Sequence, residues 1–146
     1  MNKKLTIAGI AVVIVFVALA VFDLNSQSTK YYVHQPVELN PDNVAAYLSM
    51  YNIVDDLPGD AEIQINFGEY KYYVSGNSVL EGDIEGADLQ VWLPEEYISL
   101  IGLEGVCEAM SEANRNGEIG IEIYESEASL AWKYKGMLKY RNCFSS

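Results

Sequence analysis

An α+β fold is what this 146-residue chain predicts: one antiparallel or mixed sheet of about five strands, helices packed on one face, and a transmembrane helix ahead of both. Three observations carry that expectation. Residues 5–22 read LTIAGIAVVIVFVALAVF, eighteen positions without a charge. Three later stretches alternate apolar and polar residues, with Ile63, Ile65 and Phe67, then Tyr70, Tyr72 and Val74, then Ile119, Ile121 and Ile123 as the apolar members. Two others, Val44, Tyr47, Leu48, Tyr51 and Val54, and later Val106, Met110 and Ala113, recur at helical spacing. Strand runs and helix runs that segregate in this way build a layered α+β domain.

The first segment comes first in the argument because it fixes location. As a helix it would rise roughly 27 Å, close to the hydrocarbon thickness of a bilayer. Lys3 and Lys4 precede it and Asp23 follows, so the N-terminus is expected in the cytoplasm and residues 23–146 outside. A cleaved signal peptide is the alternative, with Ala18-Leu19-Ala20 as the small-residue site. Continuation of the run through Val21 and Phe22 favours the anchor. Either way the domain lies in the same compartment. The organisation is then an anchor or signal over 1–22, a stalk over 23–40 and one domain over 41–146.

Along the outer domain, Asn40-Pro41-Asp42 predicts a helix start, with a capping side chain and proline at the first helical position. The helix runs to Val54, and the Asp55–Asp60 stretch turns the chain. Residues 62–67 and 70–74 form a hairpin around Gly68-Glu69. Ser75-Gly76-Asn77-Ser78 is a turn leading to Val79 and Leu80, residues 81–86 form a loop, and residues 88–93 a further strand. Pro94-Glu95-Glu96 opens a short helix, its acids suited to the N-terminal dipole, and Gly102 ends it. A helix through Val106 and Ala113 stops at Gly117, and Ile119–Ile123 is a strand. The last element is either type: Leu130, Trp132 and Tyr134 alternate as in a strand, while Ala131, Tyr134 and Leu138 share a helix face.

All 21 acidic residues lie after Phe22, against seven of the nine basic ones, so the outer domain carries a formal charge near −14. That excludes nucleic acid as a partner and argues against anionic headgroups. Two cysteines, Cys107 and Cys143, are expected to pair outside the cell, closing a loop worth on the order of 3–4 kcal/mol; two buried free thiols in a reducing habitat are the alternative. His34 is the single histidine. It has no partner at zinc spacing and lies in the stalk, so no catalytic residue and no metal are expected. Asp55, Asp56 and Asp60, or Asp83, Glu85 and Asp88, offer oxygens for calcium, but neither set has EF-hand spacing. The expectation is a protein without cofactor and without enzymatic activity.

Two segments carry a family resemblance. ADLQVWLPEEYISLIG at 87–102 and NGEIGIEI at 116–123 look like the strand, short helix and glycine-led strand of the sterol carrier protein 2 (SCP2-like) domain. The match spans about Asn43 to Tyr140. The resemblance implies a curved five-stranded sheet, helices over one face and an apolar tunnel for lipids or other hydrophobic ligands. The expected lining is Trp92, Tyr97, Ile101, Met110 and Trp132: aromatics flanking a strand-to-helix junction, with adaptable methionine on the next helix. The function expected is a membrane-anchored extracytoplasmic domain that binds a hydrophobic small molecule or lipid. An accessory subunit of an envelope or surface assembly is the alternative, docking a protein partner through Tyr70, Tyr72 and Tyr73.

Overall fold

A computed structural model describes residues 35–144. The apolar run at 5–22, its lysines and His34 lie outside those residues. Among the described residues, no helix is long and apolar enough to cross a membrane.

Five strands form one sheet: β1 (Glu62–Phe67), β2 (Tyr70–Ser75), β3 (Ser78–Glu81), β4 (Leu89–Leu93) and β5 (Gly120–Ile123). Their spatial order is β3-β2-β1-β4-β5. All neighbours pair antiparallel except β1 and β4, which run parallel. The two hairpins β1–β2 and β2–β3 close through two-residue loops, Gly68-Glu69 and Gly76-Asn77. Each loop places glycine first at positive φ, 59° and 60°. A β-carbon resists that conformation, and it matches the twist of the flanking strands.

The parallel β1–β4 pair requires a crossover, and here no helix supplies it. β3 ends at Glu81 opposite Tyr72, and β4 starts at Leu89 opposite Ile63, nearly level with one another. The chain therefore moves mainly sideways, across three strand spacings or roughly 14 Å, and residues 82–88 suffice.

Register sorts the sheet into two faces. Ile63, Ile65 and Phe67 of β1 lie opposite Val74, Tyr72 and Tyr70, and beside Leu89, Val91 and Leu93. Val79, Ile121 and Ile123 complete this face. Four helices pack on it, α1 (Val44–Ser49), α2 (Asn52–Asp55), α3 (Tyr97–Glu104) and α4 (Val106–Asn116), and the chain ends in α5 (Glu127–Lys133) and a 3-10 helix over Lys135–Phe144. The buried cluster joins Phe67, Tyr72, Val74, Val79 and Leu93 of the sheet to Val44, Leu48, Ile98, Ile101, Ala109 and Ala113 of the helices. The five-strand sheet with helices on one face is as the sequence predicts.

Several local expectations are corrected. Residues 41–43 form a turn before α1 begins at Val44, while Asn40 caps as expected: its Oδ1 accepts from the Asp42 amide and its carbonyl from the Val44 amide, and Asn43 Oδ1 accepts from the Asn40 amide. The single helix expected to Val54 is two, broken at Met50-Tyr51. At the break, Ser49 Oγ bonds the Ala45 carbonyl and also accepts from the amide of Val79 on edge strand β3. Such back-bonding bends helices, and here it also satisfies a strand-edge donor. Gly102 does not end α3, which runs on to Glu104 with Gly105 as its cap. Its function is close approach: a β-carbon there would lie 2.2 Å from the Val37 carbonyl oxygen. Residues 35–39 therefore dock against α3, with Val37 N donating to Gly102 O and Leu39 in the core. The ambiguous last element is helical, α5 followed by the 3-10 helix. Tyr72 is 1 % exposed and belongs to the core, so it is no partner contact.

Candidate functional site

The five residues expected to line one pocket occupy three places. Tyr97 and Ile101 are buried on α3 within the main cluster, and half-buried Met110 of α4 packs against that cluster. All three thus belong to or pack against the one cluster, which also holds Ile98, Ala109 and Ala113. Trp92 stands apart. Strand alternation turns it away from Val91 and Leu93, to the other sheet face, where it lies against Gly120; a β-carbon there would meet the indole at 3.4 Å. Trp132 is 74 % exposed on α5, with the Lys135 ammonium 3.8 Å above its ring. The structure thus brings together Tyr97, Ile101 and Met110, and not Trp92 or Trp132.

A different apolar surface is present. On the helix-bearing face, Ile63 and Ile65 of β1, Leu89 and Val91 of β4, and Ile121 and Ile123 of β5 form three adjacent aliphatic pairs. None of the six is buried. The helices bury the sheet at Phe67, Tyr72, Val74, Val79 and Leu93, and no residue of β5 belongs to that cluster. The β1–β4–β5 half of the face is therefore an incompletely covered aliphatic stripe: Ile63, Ile65 and Val91 pack against the core cluster, and Leu89, Ile121 and Ile123 lie outside it. The alternation of Ile63 with Ile65 and of Ile121 with Ile123 is plain in the sequence. Their incomplete cover depends on helix placement and is not.

The opposite face is polar and closed by the crossover. Gln64 is 4 % exposed there. Its Nε2 donates to the carbonyls of Tyr72 and Gly82, and its Oε1 accepts from the Ile84 amide. A single buried amide thus fastens the 82–88 loop to the sheet. A cleft of about 330 Å³ beside it is lined in part by Gln64, Asp83, Gln90 and Tyr124. The Tyr124 hydroxyl lies 2.9 Å from Gln90 Oε1 and 3.0 Å from Glu122 Oε2, and burial, then Glu122, raise the phenol above its ordinary value.

The acidic loops considered for calcium are held by lysines. Asp88 receives hydrogen bonds from Lys133 Nζ, the Tyr134 hydroxyl and the Glu62 amide. Burial raises its carboxyl, but those donors outweigh burial and hold it below the ordinary value. Lys133 also reaches Asp60, and Lys139 pairs with Asp56, which the Tyr140 hydroxyl joins. Asp83 pairs with Lys71. These contacts fix α5 and the 3-10 helix to the sheet end and to α2. Cys107 of α4 and Cys143 of the 3-10 helix are bridged, with Cα atoms 4.7 Å apart.

No family model matches the chain, and no curated protein matches it. Among solved structures it is similar to a protein described as "UbiJ-SCP2 Ubiquinone synthesis protein", at 12% identity and a TM-score of 0.40. That likeness covers 68% of this chain and 92% of the other.

Proposed function

We propose that this chain is a membrane-anchored, non-catalytic extracytoplasmic domain that binds a lipid or another hydrophobic molecule along the aliphatic stripe of β1, β4 and β5. One observation carries the reading: six aliphatic side chains in register on the helix-bearing face, none of them buried. Apolar area left incompletely covered is surface that a ligand gains roughly 25 cal/mol per Å² by covering. The location is supported by the uncharged run at 5–22 behind Lys3 and Lys4, and by the Cys107–Cys143 bridge, since disulfides persist in oxidising compartments.

The test is native mass spectrometry of the full chain purified in detergent, followed by organic extraction. A co-purifying apolar molecule, displaced by a fluorescent fatty acid, is the expected result. A chain that carries none and takes up no fatty acid removes the reading. The accessory-subunit alternative then gains weight. It rests on Tyr70, which keeps 40 % exposure at the β1–β2 turn.

A further inference from the structure

Charge is unevenly placed in this protein. The last acidic residue is Glu127; residues 128–146 contain Lys133, Lys135, Lys139 and Arg141 and no acid. Only Lys30, Lys71 and Arg115 accompany the 21 acids in the preceding part of the outer domain. In space this end also holds Asp56, Asp60 and Asp88, which pair with Lys133 and Lys139; since at physiological salt a surface responds to charges within about 8 Å, it is far less negative than the domain as a whole.

Two of the four cations are committed to ion pairs, Lys133 to Asp88 and Asp60, and exposed Lys139 to exposed Asp56. Lys135 and Arg141 are exposed. Six positions apart on the 3-10 helix, they share one face about 12 Å apart, and next to Lys135 stands the exposed Trp132, with Lys135 folded over its ring. No residue of α5 is buried, so the helix is held by its ends and by the Asp88 network while its tryptophan faces solvent.

We infer that the Trp132–Lys135–Arg141 corner rests on the membrane surface, with the indole at the headgroup level and the two cations against anionic lipid phosphates. Tryptophan prefers that zone because its ring is apolar and its N–H needs a wet partner. Each basic residue near such a surface adds about 1 kcal/mol of attraction. The inference rests on the anchor reading for residues 5–22. Twelve residues, 23–34, then separate the apolar run from the described domain, and extended they reach about 40 Å. That is enough for any side of a domain of this size to meet the bilayer.

The experiment reconstitutes the full chain and its Trp132→Phe variant into nanodiscs of phosphatidylcholine, with and without phosphatidylglycerol. A fraction of lipids carries a nitroxide near the carbonyl. Trp132 is exposed, so the variant keeps the fold, and the difference between the two emission spectra belongs to Trp132. With phosphatidylglycerol, that difference emission should shift to the blue and fall about twofold. Arg141→Glu with Lys135→Glu should restore it. Co-elution with the nanodisc but no quenching, with Trp132 still open to acrylamide, overturns the inference and leaves the corner to a protein partner. Failure to co-elute at all overturns the anchor reading and this one with it.

Discussion

The Tyr134 hydroxyl donates to Asp88 Oδ2 at 2.6 Å, joining residues 46 positions apart. Both are buried, and the bond ties the C-terminal cap of α5 to the loop residue that immediately precedes β4. Burial followed by the Asp88 contact raises the Tyr134 phenol. The Lys133 ammonium is also raised: burial lowers it, and Asp88 and Asp60 outweigh burial.

Asp88→Asn removes the negative charge that faces Lys133 and one of the two acceptor oxygens, and should cost about 1–3 kcal/mol in urea unfolding at neutral pH. The pH profile identifies the cause. A carboxyl depressed in the folded state stabilises fully above its unfolded value, near pH 4, and less as pH falls through the folded one. The raised Tyr134 and Lys133 lose their contribution as pH rises beyond about 10. The variant should show a smaller acid-side loss, since depressed Asp56 retains its own; an unchanged slope below pH 4 contradicts the assignment.

Cys107 and Cys143 should resist alkylation until reduced. Intact mass with and without reductant decides this, and labelling of both thiols without reductant rules the bridge out. The 36-residue separation implies that Cys143→Ser lowers stability by on the order of 3–4 kcal/mol.

Gly102→Ala should destabilise by about 1–3 kcal/mol through overpacking, since its β-carbon meets both the Val37 carbonyl and the Leu39 side chain. Hydrogen exchange should rise first at the Val37 amide, which the displaced segment exposes. Uniform exchange across the domain would show that the close approach is not the cause.

Ile121→Lys and Ile101→Trp separate binding from packing. Ile121 is only partly buried and lies outside the core cluster, so the lysine should abolish fatty-acid uptake and lower the urea midpoint far less than a core substitution. Ile101 is 2 % exposed, so tryptophan there should cost roughly 1–3 kcal/mol. Binding lost with Ile101→Trp but retained in Ile121→Lys would return the site to α3.

Protease added to intact cells should digest the domain and leave a short membrane-bound fragment. Protection would reverse the topology. Release of the full-length chain by carbonate would sink the anchor and favour cleavage after Ala20.

The strands were legible because period-two alternation bounded by glycine turns has few other solutions. Ile63 to Phe67 and Tyr70 to Val74 are found where the pattern puts them. The α1–α2 break was not, because it depends on Ser49 meeting Val79, 30 residues away. LAWKYK satisfies both periods, and the Asp88 network that favours the helix is long-range. The pocket failed on parity: Trp92 alternates with Val91 and Leu93, so it faces away from Tyr97 once those two point inward. The sequence carries that alternation but not which side is inside.

Parallel pairing of β1 with β4 also has a consequence in time. As the chain emerges from its N-terminal end, β1 can begin to zip with β2 once Tyr70 has followed Phe67, yet its other edge waits until residue 93 is out. During that interval a hydrogen-bonding edge lined by Ile63 and Ile65 is open to other chains. Gln64 sits in the same edge strand, and its grip on Gly82 and Ile84 can form before β4 exists. The buried amide is thus placed to shorten the vulnerable interval, by fixing the incoming strand's path ahead of its arrival.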